Sequence, residues 1–376
     1  MSDKKRLIKT VQELIRINSE NPPGDERRIA VFVKDYLKKL GLEVKIYEFG
    51  RKRPNVLAVL KGRQGRHALL LTPHLDTVPA GKSWTFPPFA AQIKNNRIYG
   101  LGATDCKGNL AAGLEAIKSL VEERIVLDYN LIFAATADEE SGSGLGLIPL
   151  LKKRILRPDA ALVLDADDFS IIVAQKGLAH IKIKIQGKKA HGAYPHLGVN
   201  AIDIAVKIIS ALKAHKFSYQ RHKHLKPPTL NVGTIHGGDK VNVVADWCEF
   251  ELDLRFLPGS QARQLLKVIK STAAKFAQKF SIEIEGIQQP YTIDKAHPLV
   301  KYLAAAARRV GVRPSIRGSE GATVITFFQE QHIPAVATGF GVEKCAHIAD
   351  EYAKIDNLYK GAKMLEEFLK IYEFDK

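Results

Sequence analysis

The chain has 376 residues, 45% of them hydrophobic and 26% charged, with a formal net charge of +17. That length exceeds one ordinary core and favours two domains, and the balance of residues is that of a globular protein, not a disordered or fibrous one. No run reaches the ~18 apolar residues a membrane span needs, and the basic residues fall in scattered twos and threes (Arg51-Lys52-Arg53, Lys152-Lys153-Arg154) without the motif of a nucleic-acid binder.

The opening residues, MSDKKRLIKTVQELIRI, are charged and amphipathic and lack the apolar run and cleavage site of a signal peptide. Three scattered cysteines (Cys106, Cys248, Cys345) do not make a disulfide framework, so a reducing cytoplasm is expected. Leu7, Val11, Leu14 and Ile15 recur at helical spacing, Asn21-Pro22-Pro23-Gly24 breaks that helix, and a second runs from Glu26 to Leu40. Strands are expected at Leu42–Tyr47, Asn55–Leu60 and His67–Leu71, the last apolar enough to be covered on both faces. A helix over Asn109–Glu122, a strand at Tyr129–Ala135, a helix over Ser141–Lys153 and a strand at Ala160–Leu164 follow. Strands alternating with helices predict an α/β layer on a mostly parallel sheet flanked by helices.

After Gln175-Lys176-Gly177 the pattern changes. Ala179–Ile185 alternates His180, Lys182 and Lys184 against Ile181, Ile183 and Ile185, which predicts a strand with one wet face. A helix near Asn200–Ala214, strands Thr229–His236 and Cys248–Phe256, a helix Gln261–Phe280 and a strand Ser281–Ile287 complete a split βαβ, ferredoxin-like α+β unit. The chain then returns to helices His297–Val310 and Ala322–Gln331, a strand Ala335–Thr338 and a helix Ile355–Tyr372. The predicted organisation is one domain in two parts, residues 1–177 and 287–376, interrupted by an insertion, residues 178–286.

Chemistry-bearing residues gather at the ends of these elements. Thr72-Pro73-His74-Leu75-Asp76 follows a buried strand, where an open α/β sheet places its ligands; His74 offers an imidazole and Asp76 can fix its tautomer. Asp105 sits ahead of a helix in a glycine-rich segment. Asp138-Glu139-Glu140 follows another buried strand, where neighbouring acids repel unless a cation or helix terminus compensates them. Asp165 closes a strand, with Asp167 and Asp168 close behind, and His347 lies near the carboxyl terminus. Each alone has a plain structural explanation, such as a turn histidine or an aspartate before a helix. Together His74, Asp105, Glu140, Asp165 and His347 supply two imidazoles and three carboxylates, a set that holds two zinc-like ions ~3.5–4 Å apart.

Five motifs carry a family resemblance: HLDTVPAG, W-x-x-P-P-F (Trp84–Phe89), YGLGATDCKGN, DEESGSG and AHIADEY, in that order. The sequence resembles the metallohydrolases that include acetylornithine deacetylase, succinyl-diaminopimelate desuccinylase, aminoacylase and carboxypeptidase G, over essentially the whole chain. The resemblance implies a zinc-exopeptidase-like sheet and two divalent ions, zinc with cobalt or manganese as substitutes. It implies that His74 binds one metal, that Asp105 bridges both, that Glu140 and Asp165 bind one each, and that His347 completes the second site. Glu139 is then the general base and Asp76 orients His74. A cis peptide is implied after Asp105, placing Cys106 in an unusual backbone position. Relatives usually read Glu-Pro-Thr where this chain has Asp165-Ala166-Asp167, so Asp165 is taken as the ligand with Asp167 as its competitor.

The insertion resembles the family's dimerisation (lid) domain, so a homodimer is expected. Within Gln186–Gly198 the position of His191 is one from which relatives hydrogen-bond the substrate carbonyl across the dimer, where charge develops. Asn242 and Arg255 match positions that grip substrate, Arg255 with the fork that suits a carboxylate. The expected activity is hydrolysis of an amide bond in a small N-acyl amino acid, with a dipeptidase or carboxypeptidase of the same family as the alternative. No nucleic-acid or membrane partner is expected. A non-catalytic basic binding protein on this fold is the reading of another class; the complete ligand set and Glu139 weigh against it.

Overall fold

The computed structural model describes residues 1–374. The chain divides into two compact units. The first comprises residues 1–173, 293–317 and those from 323 onward; the second comprises residues 174–292 and 318–322.

The first unit is built on a mixed sheet. Strand Glu43–Glu48 pairs antiparallel with Pro54–Leu60, which pairs antiparallel with Asn130–Ala135. Asn130–Ala135 runs parallel to Ala68–Thr72, that strand parallel to Ala160–Val163, and that one parallel to Ala335–Ala337. Four neighbouring strands therefore end on the same edge, the edge at which an open α/β sheet binds its ligands. Their residues are nearly all buried, as the apolar runs predict for strands covered on both faces.

Helices cover the sheet with apolar faces. Helix Lys4–Ile15 is capped by Asp3, whose side chain accepts the Arg6 N–H, and buries Leu7, Val11, Leu14 and Ile15. Helix Lys107–Glu122 is buried along most of its length, and Gly113 lets it approach Leu164, Phe133 and Leu71 closely. Helix Ile355–Ile371 places Gly361 against the Phe340 ring. Asp105, immediately before Lys107–Glu122, is thus fixed by a helix that cannot shift without opening the core.

The second unit has the order strand Gly177–Gln186, helix Ala201–Ala214, strands Thr229–Gly237 and Trp247–Phe256, helix Ala262–Phe276, strand Phe280–Gln288. All pairings are antiparallel, with Gly177–Gln186 and Trp247–Phe256 central. This is the ferredoxin-like α+β arrangement. Ile181, Ile183 and Ile185 face its core while the side chains between them face away.

Several elements differ from expectation. The helix expected over Ser141–Lys153 begins only at Leu147, because Gly142 (φ 94°) and Ser143 (φ 61°) are left-handed and stop helical bonding. The helix expected over Ala322–Gln331 shrinks to Ile325–Gln329, and the one expected to reach Phe280 ends at Phe276. Strands beyond those expected include the fully buried Ser170–Gln175, the short Tyr291–Thr292 and Ser315–Ser319, and Gln92–Lys94, Arg97–Tyr99 and Tyr352–Lys354, which form a small sheet. Gly318–Ala322 groups with the second unit, where Glu320 pairs with buried Lys176 at 2.6 Å. Among the described residues, no helix is long and apolar enough to cross a membrane.

Candidate metal centre

Four parallel strands deliver the site. His74 follows Ala68–Thr72, Asp138-Glu139-Glu140 follows Asn130–Ala135, Asp165 follows Ala160–Val163, and the loop carrying His347 follows Ala335–Ala337. Asp105 arrives from the start of helix Lys107–Glu122, across a cis Asp105–Cys106 peptide.

Asp105 lies between the two histidines. Its Oδ1 is 2.9 Å from His74 Nε2 and its Oδ2 is 3.2 Å from His347 Nε2. His347 Nε2 is also 3.3 Å from the Glu140 carboxylate. Donor atoms fall into groups within 4.8 Å of one another: His74 with Glu139 and Asp165, and Asp105 with Glu140 and His347. A third group joins His74, Asp105 and Cys106. Asp167 enters none of these groups; its carboxylate lies against Gly341, where a Cβ would meet Oδ1 at 2.7 Å.

Asp76 meets His74 most closely through its main chain. His74 Nδ1 is 3.0 Å from the Asp76 carbonyl oxygen and 3.5 Å from its carboxylate. A carbonyl only accepts, so Nδ1 carries a proton toward Asp76 and Nε2 is the ring nitrogen that faces Asp105. The Asp76 carboxylate instead accepts the backbone N–H groups of Glu139 and Glu140, each at 3.1 Å.

The donor set fits cations. Burial works to lower the His74 pKa, but Cys106, Asp105 and Asp76 raise it well above the usual imidazole range, so His74 Nε2 and Asp105 Oδ1, 2.9 Å apart, call for a positive charge between them, a proton or a cation in its place. The Asp165 carboxyl is pushed up to about 7, first by burial and then by the charge of Asp105. Glu139 is held well above the usual carboxylate range by burial and by Asp165. His347 is raised to about 10 by Asp105 and Glu140. Four crowded acids and two imidazoles are what a pair of divalent ions would relieve.

Two supporting residues escaped the sequence reading. Glu351, 1% exposed, accepts the backbone N–H groups of Gly102, Thr104 and Asp105 at 2.9, 2.8 and 3.0 Å. It stands in AHIADEY beside His347, and that position was its only signal. Lys107 is fully buried and donates to the Ile17 carbonyl at 2.7 Å. Cys106 is a buried thiol whose pKa burial pushes up to about 12.

His191, Asn242 and Arg255 all lie in the second unit. His191 Nδ1 accepts the Ala193 N–H at 3.0 Å, so its proton is on Nε2. Gly192 donates to the Asn242 carbonyl at 2.8 Å, which sets Asn242 beside His191. The Arg255 fork is engaged: Nε and Nη2 meet the Asp253 carboxylate at 2.7 and 2.9 Å.

A mixed α/β sheet with carboxylates and histidines at the ends of its parallel strands defines a metallohydrolase class. Comparison with known proteins makes this specific: residues 70–371 match Peptidase family M20/M25/M40, and the chain belongs to that family. It is 31% identical over 353 residues to acetylornithine deacetylase of Edwardsiella ictaluri, covering 91% of this chain and 90% of that one. It is 30% identical to acetylornithine deacetylase of Vibrio cholerae, covering 95% of each. Among solved structures, the M20 metallo-carboxypeptidase Sso-CP2 of Sulfolobus solfataricus superposes with a TM-score of 0.83 at 24% identity over 99% of both chains. A tripeptidase of Staphylococcus aureus gives 0.81 at 29% identity, again over 99% of both. The chain is therefore a hydrolase acting on amide or peptide bonds, which displaces the reading as a non-catalytic binding protein.

Proposed function

We propose that this hydrolase removes the acyl group from a small N-acyl amino acid, using Glu139 as general base beside two divalent ions. The observation that carries the reading is Asp105 set between His74 and His347 at 2.9 and 3.2 Å, with Asp165 grouped on one side and Glu140 on the other. His74, Asp165 and Asp105 would hold one ion; Asp105, Glu140 and His347 would hold the second. Bound there, zinc, or cobalt or manganese in its place, acts as a Lewis acid that polarises the scissile carbonyl and acidifies water.

The chain's own groups do the rest. Glu139, whose carboxyl burial and Asp165 hold above the usual carboxylate range, takes a proton from the attacking water and passes it to the leaving amine. Its aim is set by Asp76 through the backbone. His191, with its proton on Nε2, donates to the substrate carbonyl oxygen from a second copy of the chain in a homodimer. Asn242 and Arg255 contact the substrate; for Arg255 this means exchanging Asp253 for a substrate carboxylate. The three cysteines are free and buried, in keeping with a cytoplasmic protein.

The 31% and 30% identity to acetylornithine deacetylases favours an N-acyl amino acid, and the likeness to a tripeptidase at 29% identity keeps short peptides as the second reading. A turnover screen of zinc- and cobalt-loaded protein against N-acetyl and N-succinyl amino acids and dipeptides tests it. Release of acetate or succinate with no dipeptide cleavage is expected; cleavage of dipeptides alone replaces the first reading with the second.

A further inference from the structure

The acids that face the reaction stand in front of a second, hidden layer of charge. Behind Glu139 and Glu140 three more carboxylates are buried: Asp76 and Glu26, both 0% exposed, and Asp138, 5% exposed. One cation lies among them. Arg53 Nη2 donates to Asp138 Oδ1 at 2.7 Å and Nη1 donates to Asn21 Oδ1 at 3.3 Å. Arg53 Nε is 2.8 Å from Glu26 Oε2, a charge contact that lacks hydrogen-bond alignment. Asn21 completes the connection, donating to Asp76 Oδ2 at 2.8 Å and approaching Asp138 Oδ1 at 3.4 Å.

Two branches of this net end on the turn that aims the proposed base, one through Asp138 and one through Asn21 and Asp76. Asp138 is held in the left-handed region (φ 66°) immediately before Glu139, and its other carboxylate oxygen accepts the Leu145 N–H at 2.8 Å, closing the turn. Asp76 clamps the N–H groups of Glu139 and Glu140. Arg53 thus reaches Glu139 by two routes, directly through Asp138 and through Asn21 to Asp76. Gly24 makes room for it. A Cβ on that residue would lie 2.0 Å from Arg53 Nη1, and its φ of +79° already favours glycine.

We propose that Arg53 is a positioning residue for hydrolysis: its planar fork, seated by Asn21 and Gly24, holds Asp138 and Asp76 so that the turn presents Glu139 to the reacting water. This rests on Glu139 being the base. The fork is the essential feature, because an ammonium is a point donor that cannot hold Asn21 and Asp138 in fixed plane and direction at once. The Asn21-Pro22-Pro23-Gly24 segment, which the sequence marks as a helix breaker, becomes the seat of that fork.

The test compares zinc-loaded full-length protein with Arg53→Lys, Gly24→Ala and Glu139→Gln, on N-acetyl-L-ornithine or whichever N-acyl amino acid or dipeptide the unaltered chain turns over. Arg53→Lys keeps the buried positive charge, and Gly24→Ala keeps the arginine but displaces it. Both are expected to lower kcat per zinc-loaded molecule by on the order of 10²-fold, as ångström-scale misplacement does, with KM and zinc content close to those of the unaltered chain; the positive φ of Gly24 lowers the melting midpoint of Gly24→Ala in either case, so kcat per zinc-loaded molecule decides. A purely structural role would instead lower the midpoint or zinc content and leave kcat per zinc-loaded molecule unchanged; that result overturns the inference. If Arg53→Lys fails to fold, Gly24→Ala alone decides by the same criterion. Inactive Glu139→Gln with normal kcat in the other two variants overturns the role of Arg53 alone. No turnover by the unaltered chain, or undiminished turnover by Glu139→Gln, overturns the base assignment and the positioning role together.

Discussion

Glu351 holds Asp105 from behind: its Oε1 accepts the Asp105 N–H at 3.0 Å and the Thr104 N–H at 2.8 Å, while Oε2 accepts the Gly102 N–H at 2.9 Å. The residue that lies between both histidines is therefore fixed by a carboxylate four positions after His347. Glu351→Ala would leave three buried N–H groups without their acceptor, a loss of roughly 1–3 kcal/mol for each group left unsatisfied. It should also weaken zinc binding by ~10–100-fold, as loss of an outer hydrogen-bond partner does. Chelator competition and thermal unfolding measure the two effects; unchanged zinc affinity would show that Glu351 does not organise the site.

Glu139 makes no contact that the backbone of its turn needs, since Asp76 binds its N–H and not its side chain. Glu139→Gln should therefore fold normally, bind two zinc ions and lose turnover by ~10²–10⁴-fold, the usual contribution of a general base. Single-turnover acyl release by metal-replete variant and unaltered chain is the appropriate comparison.

Glu366 ties the start of the chain to the last helix. Its Oε2 accepts the Ser2 N–H at 2.9 Å and the Ser2 hydroxyl at 2.7 Å, and Lys370 donates to Oε1 at 2.7 Å. Burial works to raise its pKa and is outweighed by the bonds from Lys370 and Ser2, leaving it at about 2 against a reference of 4.5. A folded-state pKa below the unfolded one contributes stability that is complete above pH 4.5 and is lost as pH falls toward 2. Urea unfolding of Glu366→Gln should show a deficit of ~1–3 kcal/mol at pH 7 that shrinks across that interval. A deficit that stays constant to low pH would contradict the assignment.

Gly361 sets two effects against each other. Alanine is the better helix former by ~1 kcal/mol, yet a Cβ there would lie 2.1 Å from Phe340 Cγ in the core. Overpacking of that kind costs ~1–3 kcal/mol, so Gly361→Ala should destabilise the protein on balance, read as a lower urea midpoint. Phe340 precedes the loop that carries His347, so the substitution should also loosen metal binding.

The sheet and the residues at its edge were legible because both announce themselves locally. Apolar runs such as 68–72 and 160–163 can only be covered strands, and acids or histidines at their ends have few dull partners. The alternation at 179–185 was equally plain. What stayed hidden depends on residues far apart in sequence. Arg53 reads as one more basic residue among fifty-seven, and only the fold brings it to Asp138. Glu351 reads as part of a motif, and its three N–H partners lie some 250 positions earlier. The short strands at 92–99 and 352–354 have no run long enough to signal pairing; they form because each supplies the other's edge. The helix expected over 141–153 failed on left-handed Ser143, which no propensity reports.

Anomalous diffraction from crystals soaked in zinc or cobalt shows directly whether two ions sit beside Asp105. Two peaks flanking Asp105 are expected, one against His74 and Asp165 and the other against Glu140 and His347. A single peak, or density coordinated by Asp167 with Asp165 turned away, would contradict that arrangement.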